Sequence, residues 1–481
     1  MSICRRIIAR IDVKGTRLIK GIQFEGLRVL GDAWETAKKY SFLGIDEIFY
    51  SDAVASLYGR NGLSEILKKT SEDSFIPITA GGGIRSIDDG KKLLANGADK
   101  LAINSEAVRN PFLINQLAET FGSQCVVVSI QARRSFDNKK WDVMIESGRE
   151  RSNKNLFDWI LDVQERGAGE IIITSVDQDG TCKGPDFDLI KEVDPLVAIP
   201  LVFGGGFSKL NQINDIFSNF KSPTGVAIGL ALHNSSLKIS DVKESLKNEN
   251  ITIRPRSNYF FDNKNRSKKI KISILDYGMG NVESLNNAFN YIGAEVSITS
   301  SKEEIEKADL LAIPGVGSFP EGMNNIKSRN LLSLIQERVK NKKAILGICL
   351  GMQLLFTLGE EYRITKGLNF IKGNVSKLLD KNLYGEHKIL PHMGWNKITF
   401  LKDHEKYSFE NKELIYQYFV HSFAPYVDIE DRDSILCQTE YEGQKFVSAV
   451  RKGNIFGFQF HPERSGNPGL ILLSDIIDQI K

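Results

Sequence analysis

The feature that most constrains this chain is that its first half is written twice. IDEIFYSDA (residues 45–53) returns as AGEIIITSV (168–176), and IPITAGGGI (76–84) returns as IPLVFGGGF (199–207), both 123 residues later. GADKLAINS (97–105) has a weaker counterpart in PTGVAIGLA (223–231), and IIARIDVKG (7–15) has one in VVVSIQARR (126–134). Four matches in one order predict two equivalent halves of four strand–helix units each. The strands are expected to end at Asp12, Ala53, Gly82, Ser105, Gln131, Asp177, Gly205 and Ala231. Amphipathic runs such as AWETAKKYSFLG (33–44), NPFLINQLAETFG (110–122) and LFDWILDVQERG (156–167) supply helices between them. Eight such units in about 250 residues is the count of a (β/α)8 barrel. An open doubly wound sheet fits eight evenly spaced units less well.

The repeat stops near residue 252. TIRPRSNYFFDNKNRSKKI (252–270) carries six Lys/Arg against one Asp and reads as a solvated linker. The expected domains are therefore 1–252 (barrel), 253–270 (linker) and 271–481, a second α/β domain opening with KISILDYGMGN (271–281). A length of 481 residues suits two or three cores. A net charge of +3 gives no electrostatic reason to expect nucleic acid or a membrane surface. No apolar run reaches the ~18 residues of a membrane span, and the N-terminus lacks a signal-peptide core. Five unpatterned cysteines fit a reducing cytoplasm better than a disulfide framework. Without a CxxC pair or ligand-spaced histidines, neither metal nor cofactor is expected.

The second domain carries the clearer chemistry. AILGICLGMQLLF (344–356) is an apolar strand, a G-x-C-x-G turn and a helical run. Gly347 and Gly351 permit the tight turn that exposes Cys349 at a helix start, where the dipole favours an anion such as thiolate. FQFHPE supplies a base, His461, and two residues later Glu463, expected on the same face of a strand end to orient it. The Gly-rich strand exit PGVGSF (314–319) is the candidate oxyanion site, at Gly315, Val316 and Gly317. A buried apolar cysteine and a polar strand end are the plainer readings of each motif alone; together they point to a nucleophile and its base.

PGVGSF, GICLGMQLLF, YFVHSF and FGFQFHPE, in this order, resemble a class I glutamine amidotransferase across essentially all of 271–481. ILDYGMGN and PHMGWN (391–396) are more closely similar to the glutaminase subunit of the imidazole glycerol phosphate synthase family. The resemblance implies that Cys349 attacks glutamine to give ammonia and a glutamyl thioester. Gln353, His421 and Ser422 would help hold glutamine, and Trp395 would lie near a partner barrel.

Residues 1–252 resemble the cyclase subunit of the same family through RRIIARIDVKG, KGIQFEGLR, GGGIRSIDD, GADKLAIN, FGSQCVVVSI and TSVDQDGTCKG. That cyclase closes a bis-phosphorylated intermediate into an imidazole with ammonia delivered through the barrel. The doubled GGG motifs suit two phosphates, since glycine at a strand exit lets backbone N–H groups approach them. The resemblance places phosphate or substrate contacts at Lys20, Gly82, Gly83, Asn104, Asp177, Asp179, Gly205, Gly206 and Gly229. It places an ammonia gate, or a merely stabilising salt-bridge layer, at Arg6, Glu47, Lys100 and Glu170. The family's acid–base pair is two aspartates; here the first is Asp12 and the second is Gln131. An amide cannot shuttle a proton. Arg10, in place of the family's small residue, shares a strand face with Arg6, Ile8 and Asp12 and is an expected ion-pair partner of Asp12.

IARID, DAVASLYGRNGL (52–63) and SIQARR are closer to a divergent branch that accompanies surface-polysaccharide synthesis, supplying ammonia to a separate amidotransferase that makes an acetamidino sugar. Three readings follow: a glutaminase with an ammonia-conducting barrel, a cyclising synthase of histidine biosynthesis that tolerates Gln131, or a barrel that only docks and regulates the glutaminase. The expected partners are glutamine, a phosphorylated small molecule or a separate amidotransferase protein, and the barrel–glutaminase interface within the chain. The family's fusions put the glutaminase first. Here the barrel comes first, and its last helix would carry a short linker back to the barrel floor.

Overall fold

The computed structural model describes the chain apart from residues 1–2, 56–61, 137–139, 257–268, 383–384, 403–405, 408–414 and 481. It divides into two compact units, one from Ile3 to Arg256 and one made of most of the chain beyond. The linker expected at 253–270 falls largely outside the described residues, as does the middle of DAVASLYGRNGL.

In the first unit, β1 (Arg6–Lys14), β2 (Glu47–Asp52), β3 (Ile78–Gly81), β4 (Lys100–Ile103), β5 (Val126–Arg134), β6 (Glu170–Ser175), β7 (Leu201–Gly204) and β8 (Pro223–Ile228) pair in parallel. β8 pairs back onto β1, so these strands close as the expected eight-stranded barrel. Helices Ala33–Phe42 and Leu156–Glu165 start where Asp32 and Asn155 accept hydrogen bonds from first-turn N–H groups. Ile8, Phe49, Ala102, Val127, Ile172, Val202 and Ala227 fill the barrel with one apolar layer. The two halves share backbone detail. Gly82 and Gly205 have φ of 113° and 107°, and a Cβ at either would come within 2.8 Å of the carbonyl oxygen of Asp52 or Ser175, the last residues of β2 and β6.

The structure departs from expectation at Asp12 and Gln131, which do not end their strands. β1 and β5 run on to Lys14 and Arg134, and each continues into an antiparallel hairpin: Arg17–Ile22 with Glu25–Asp32, and Trp141–Ile145 with Glu150–Asn155. The hairpins occupy the same place in each half and so extend the repeat. Their turns rest on Gln23, Phe24, Glu146 and Ser147 at positive φ rather than on an Asn-Gly pair.

The second unit is built on an eight-stranded sheet in the order Glu295–Thr299, Lys271–Leu275, Leu310–Ile313, Ala344–Ile348, Ile455–Phe458, Gln444–Lys452, Ile435–Tyr441, Thr399–Phe400. The first five strands are parallel and the rest antiparallel. The strand Ala344–Ile348 lies in the middle, so the chain leaves its carboxyl end where open α/β sheets bind ligands. Among the described residues no helix is long and apolar enough to cross a membrane.

Candidate active sites

Cys349 sits at φ +52°, ψ −109° between the strand Ala344–Ile348 and the helix Leu350–Leu354. That conformation is costly for a residue with a Cβ and persists only where its surroundings enforce it. The enforcement is visible. The Cys349 N–H donates to the Phe458 carbonyl at 2.6 Å. A Cβ at Gly351 would run into the Ile313 carbonyl oxygen, and one at Gly347 would meet the Gly351 carbonyl at 2.5 Å. A Cβ at Gly315 would strike Leu350, so the loop of Gly315, Val316 and Gly317 lies directly against the turn that presents Cys349.

His461 donates from Nδ1 to Glu463 Oε1 at 2.7 Å, both residues being buried. Glu463 is not on a strand, as expected, but on the short 3-10 turn Pro462–Arg464, which curls its carboxylate back to the ring. Burial alone would lower the His461 pKa, but Glu463 and then Cys349 outweigh it and hold the pKa well above the ordinary value. Gln353 Nε2 donates to the Phe423 carbonyl and to Gln459 Oε1, each at 3.0 Å. His421 Nδ1 bonds the same carbonyl at 2.8 Å. The donors of Gln353 and His421 are thus engaged with protein groups; Ser422 is half-buried beside them.

At the barrel mouth Asp12 is held from both sides. Oδ1 accepts from Arg10 Nε at 2.8 Å and Oδ2 from Lys20 Nζ at 2.6 Å, and Lys20 also pairs with Asp179 at 2.8 Å. Burial would raise the Asp12 pKa; Arg10 first and Lys20 second reverse this and hold the carboxyl well below the usual range. Arg10 also donates to Thr174 Oγ1 at 2.9 Å and lies over the Phe24 ring. Gln131 is 7% exposed, and its Oε1 has no hydrogen-bond partner among the described residues. It lines one cleft with Gly82, Gly83 and Asn104, whose side-chain N and O are likewise unpartnered. Asp179, Gly205, Gly206 and Gly229 line a second cleft with Arg10. Asp177 lies on neither wall: its carboxylate accepts from the Arg134 N–H at 2.8 Å, pinning the second hairpin.

At the strand starts, Arg6, Glu47, Lys100 and Glu170 form a closed ring of alternating sign. Arg6 pairs with Glu47 at 2.8 Å and Glu170 at 2.6 Å, and Lys100 with the same two carboxylates at 2.9 and 2.7 Å.

Residues 6–238 match the model of the family described as histidine biosynthesis protein, and residues 273–476 match that of class I glutamine amidotransferases. A Legionella pneumophila protein named imidazole glycerol phosphate synthase subunit HisF is 54% identical over 209 residues, 44% of this chain and 98% of its own length. The HisF subunits of Lactococcus lactis and Clostridium botulinum strain Okra are each 42% identical over 52% of this chain, covering 96% and 99% of their own lengths. The chain belongs to the histidine biosynthesis protein family. It joins a barrel of that family to a class I glutamine amidotransferase domain, and it is an enzyme, a glutamine amidotransferase.

Two consequences of the buried ionisable groups are measurable. Glu170 is fully buried between Arg6 and Lys100; burial opposes its ionisation, and the two cations hold its pKa down. Glu170→Ala leaves both cations under-neutralised and is expected to destabilise the barrel by about 3–5 kcal/mol. Urea unfolding followed by tryptophan fluorescence reads this, since Trp34, Trp141 and Trp159 are all in the barrel. A loss below about 1 kcal/mol would mean that the ring contributes no more than a surface pair.

In the amidotransferase unit the register of an antiparallel pair sets His392 opposite His421. His392 Nδ1 lies 3.1 Å from His421 Nε2. Burial pushes the His421 pKa down to about 4 and that of His392 well below its ordinary value. For a base with a depressed folded pKa, stability is full above the unfolded value near 6.5 and is lost as pH falls toward the folded one. His421 alone accounts for a loss of about 3 kcal/mol between pH 6.5 and 4. His461, with a raised pKa, adds nothing to that slope, because its contribution is already complete below 6.5 and declines only as pH rises through the folded pKa. Calorimetry should show the amidotransferase transition falling from pH 6.5 to 5, with a shallower fall in His421→Asn. Equal slopes would contradict the assignment.

Proposed function

We propose that this chain hydrolyses glutamine at Cys349 and passes the ammonia through its barrel to a separate amidotransferase acting on a surface-polysaccharide sugar. Cys349 Sγ attacks the amide carbon while His461 takes the thiol proton and returns it to the departing nitrogen. Glu463 holds the imidazolium, and backbone N–H groups at Gly315–Gly317 receive the oxyanion. Water, deprotonated by His461, then cleaves the thioester, so that glutamine and water become glutamate and ammonia. Gln353 and His421 shape the glutamine pocket through the Phe423 carbonyl, leaving Ser422 free to reach the substrate.

The conduit reading rests on the barrel mouth. Asp12 has both oxygens in ion pairs with Arg10 and Lys20, and Gln131 cannot titrate, which argues against the acid–base pair that the resemblance assigns to cyclisation. The apolar layer above the charged ring suits ammonia, which is a nucleophile only while neutral and is kept so by a dry path. The ring of Arg6, Glu47, Lys100 and Glu170 would act as the gate. The glycine turns at Gly82, Gly83, Gly205 and Gly206, with Lys20, Asn104, Asp179 and Gly229, would supply the phosphate or substrate contacts of the barrel mouth.

A second reading, a cyclising imidazole glycerol phosphate synthase, is favoured by the names of the relatives. Gene deletion in the source organism separates the two. A conduit predicts growth without histidine and loss of an amidino nitrogen from the surface polysaccharide; a synthase that is the cell's own predicts histidine auxotrophy.

A further inference from the structure

The Cys349 sulfur receives a hydrogen bond from Gln459 Nε2 at 3.6 Å. Gln459 is fully buried on the segment between the last parallel strand and His461, and its backbone N–H is fixed to the Ser448 carbonyl at 3.0 Å. Which end of its amide faces the sulfur is decided by its neighbours. Gln459 Oε1 accepts from Gln353 Nε2, so the NH2 end must point at Cys349.

The orientation of Gln353 is decided in turn. Its second N–H goes to the Phe423 carbonyl, which also accepts from His421 Nδ1–H. His421 Nε2 is therefore the lone-pair nitrogen and accepts from His392 Nδ1–H, which leaves His392 Nε2 to accept from Asn396 Nδ2 at 3.3 Å. Each group in this chain, from the half-buried Asn396 to the buried sulfur, has a single consistent donor or acceptor role. It holds only while both histidines are neutral, in keeping with their depressed pKa values.

We propose that Gln459 is a positioning residue for the nucleophile, its amide aimed by the Gln353–Phe423–His421–His392 network so that an N–H is always presented to Cys349. A neutral thiol is a weak acceptor and a thiolate a strong one, so this bond strengthens as the sulfur takes up charge. The titratable groups close to the sulfur are His461 and Tyr277, with Glu463 behind the imidazole; none of them duplicates a fixed amide donor. The proposal rests on Cys349 being the nucleophile.

Gln459→Glu keeps the shape and the acceptor toward Gln353 but loses the donor when ionised; Gln459→Leu loses both. The test uses the full chain, with kcat and KM for glutamine hydrolysis and the rate of Cys349 alkylation by iodoacetamide measured across pH 5.5–8.5. Gln459→Leu should lower kcat by roughly 10–100-fold with KM changed less than about twofold. Gln459→Glu should be at least as impaired at alkaline pH and recover as pH falls, because its protonated carboxyl regains a donor. A glutamate variant matching the parent at every pH would mean that the amide donor plays no part. That result, or a leucine variant with unchanged kcat, would overturn the proposal. If the leucine variant does not fold, the glutamate variant decides alone. Failure of the underlying reading is distinguishable, since a Cys349→Ala chain would then still hydrolyse glutamine.

Discussion

Cys349→Ala lowers glutamine hydrolysis by about 10⁴–10⁶-fold, the range seen when a covalent nucleophile is removed from an otherwise intact site. The size of the effect follows from the geometry. His461, backed by Glu463, Gln459 and the Gly315–Gly317 loop all lie about the strained turn at Cys349, and none of them carries a thiol or hydroxyl to stand in for the sulfur. Alanine takes the same positive-φ position with the same strain, so stability should change by no more than about 1 kcal/mol. Glutamate formation and calorimetry on the same preparations separate the two quantities. Hydrolysis within tenfold of the parent would remove Cys349 from the reaction.

The second large effect concerns the barrel. Supplied with the bis-phosphorylated intermediate of the cyclase reaction, the chain should form imidazole product about 10²–10⁴-fold more slowly than a barrel with two working carboxylates. Restoring the missing carboxylate through Gln131→Asp should recover little of this. Asp12 would remain between Arg10 at 2.8 Å and Lys20 at 2.6 Å, with its proton affinity far below that of a useful base. Arg10→Cys combined with Gln131→Asp frees one oxygen of Asp12 and should recover more than either change alone. Product formation by Gln131→Asp equal to that of the double variant would show that Arg10 does not restrain Asp12.

The barrel was legible because glycine exits and apolar strands recur in the same order, and no other closed arrangement uses eight such units. The hairpins after β1 and β5 were not. Glu25–Asp32 is mostly exposed and lacks an alternating apolar pattern, and its turn is made by Gln23 and Phe24, residues without a turn preference. Cys349 could be found because glycines on both sides admit no Cβ. His461 and Glu463 were found through their spacing but for the wrong reason, since a 3-10 turn rather than a strand face brings them together. Gln459 gave only a faint signal, a lone polar residue inside the apolar run FGFQF. The His392–His421 pair gave none, because its 29-residue separation acquires meaning only through strand register. The clamp on Asp12 was half legible: Arg10 shares its strand face, whereas Lys20 arrives from the hairpin that the pattern did not reveal.

The most direct measurement is a pair of assays on the purified full chain, giving the bis-phosphorylated intermediate first with glutamine and then with ammonium salt, and following imidazole product and glutamate together. A conduit barrel yields no product at enzymatic rates from either nitrogen source, while glutamate appears only slowly or without coupling to the intermediate. Imidazole formed at ordinary enzymatic rates in step with glutamate would contradict it and make the barrel a cyclase despite Gln131.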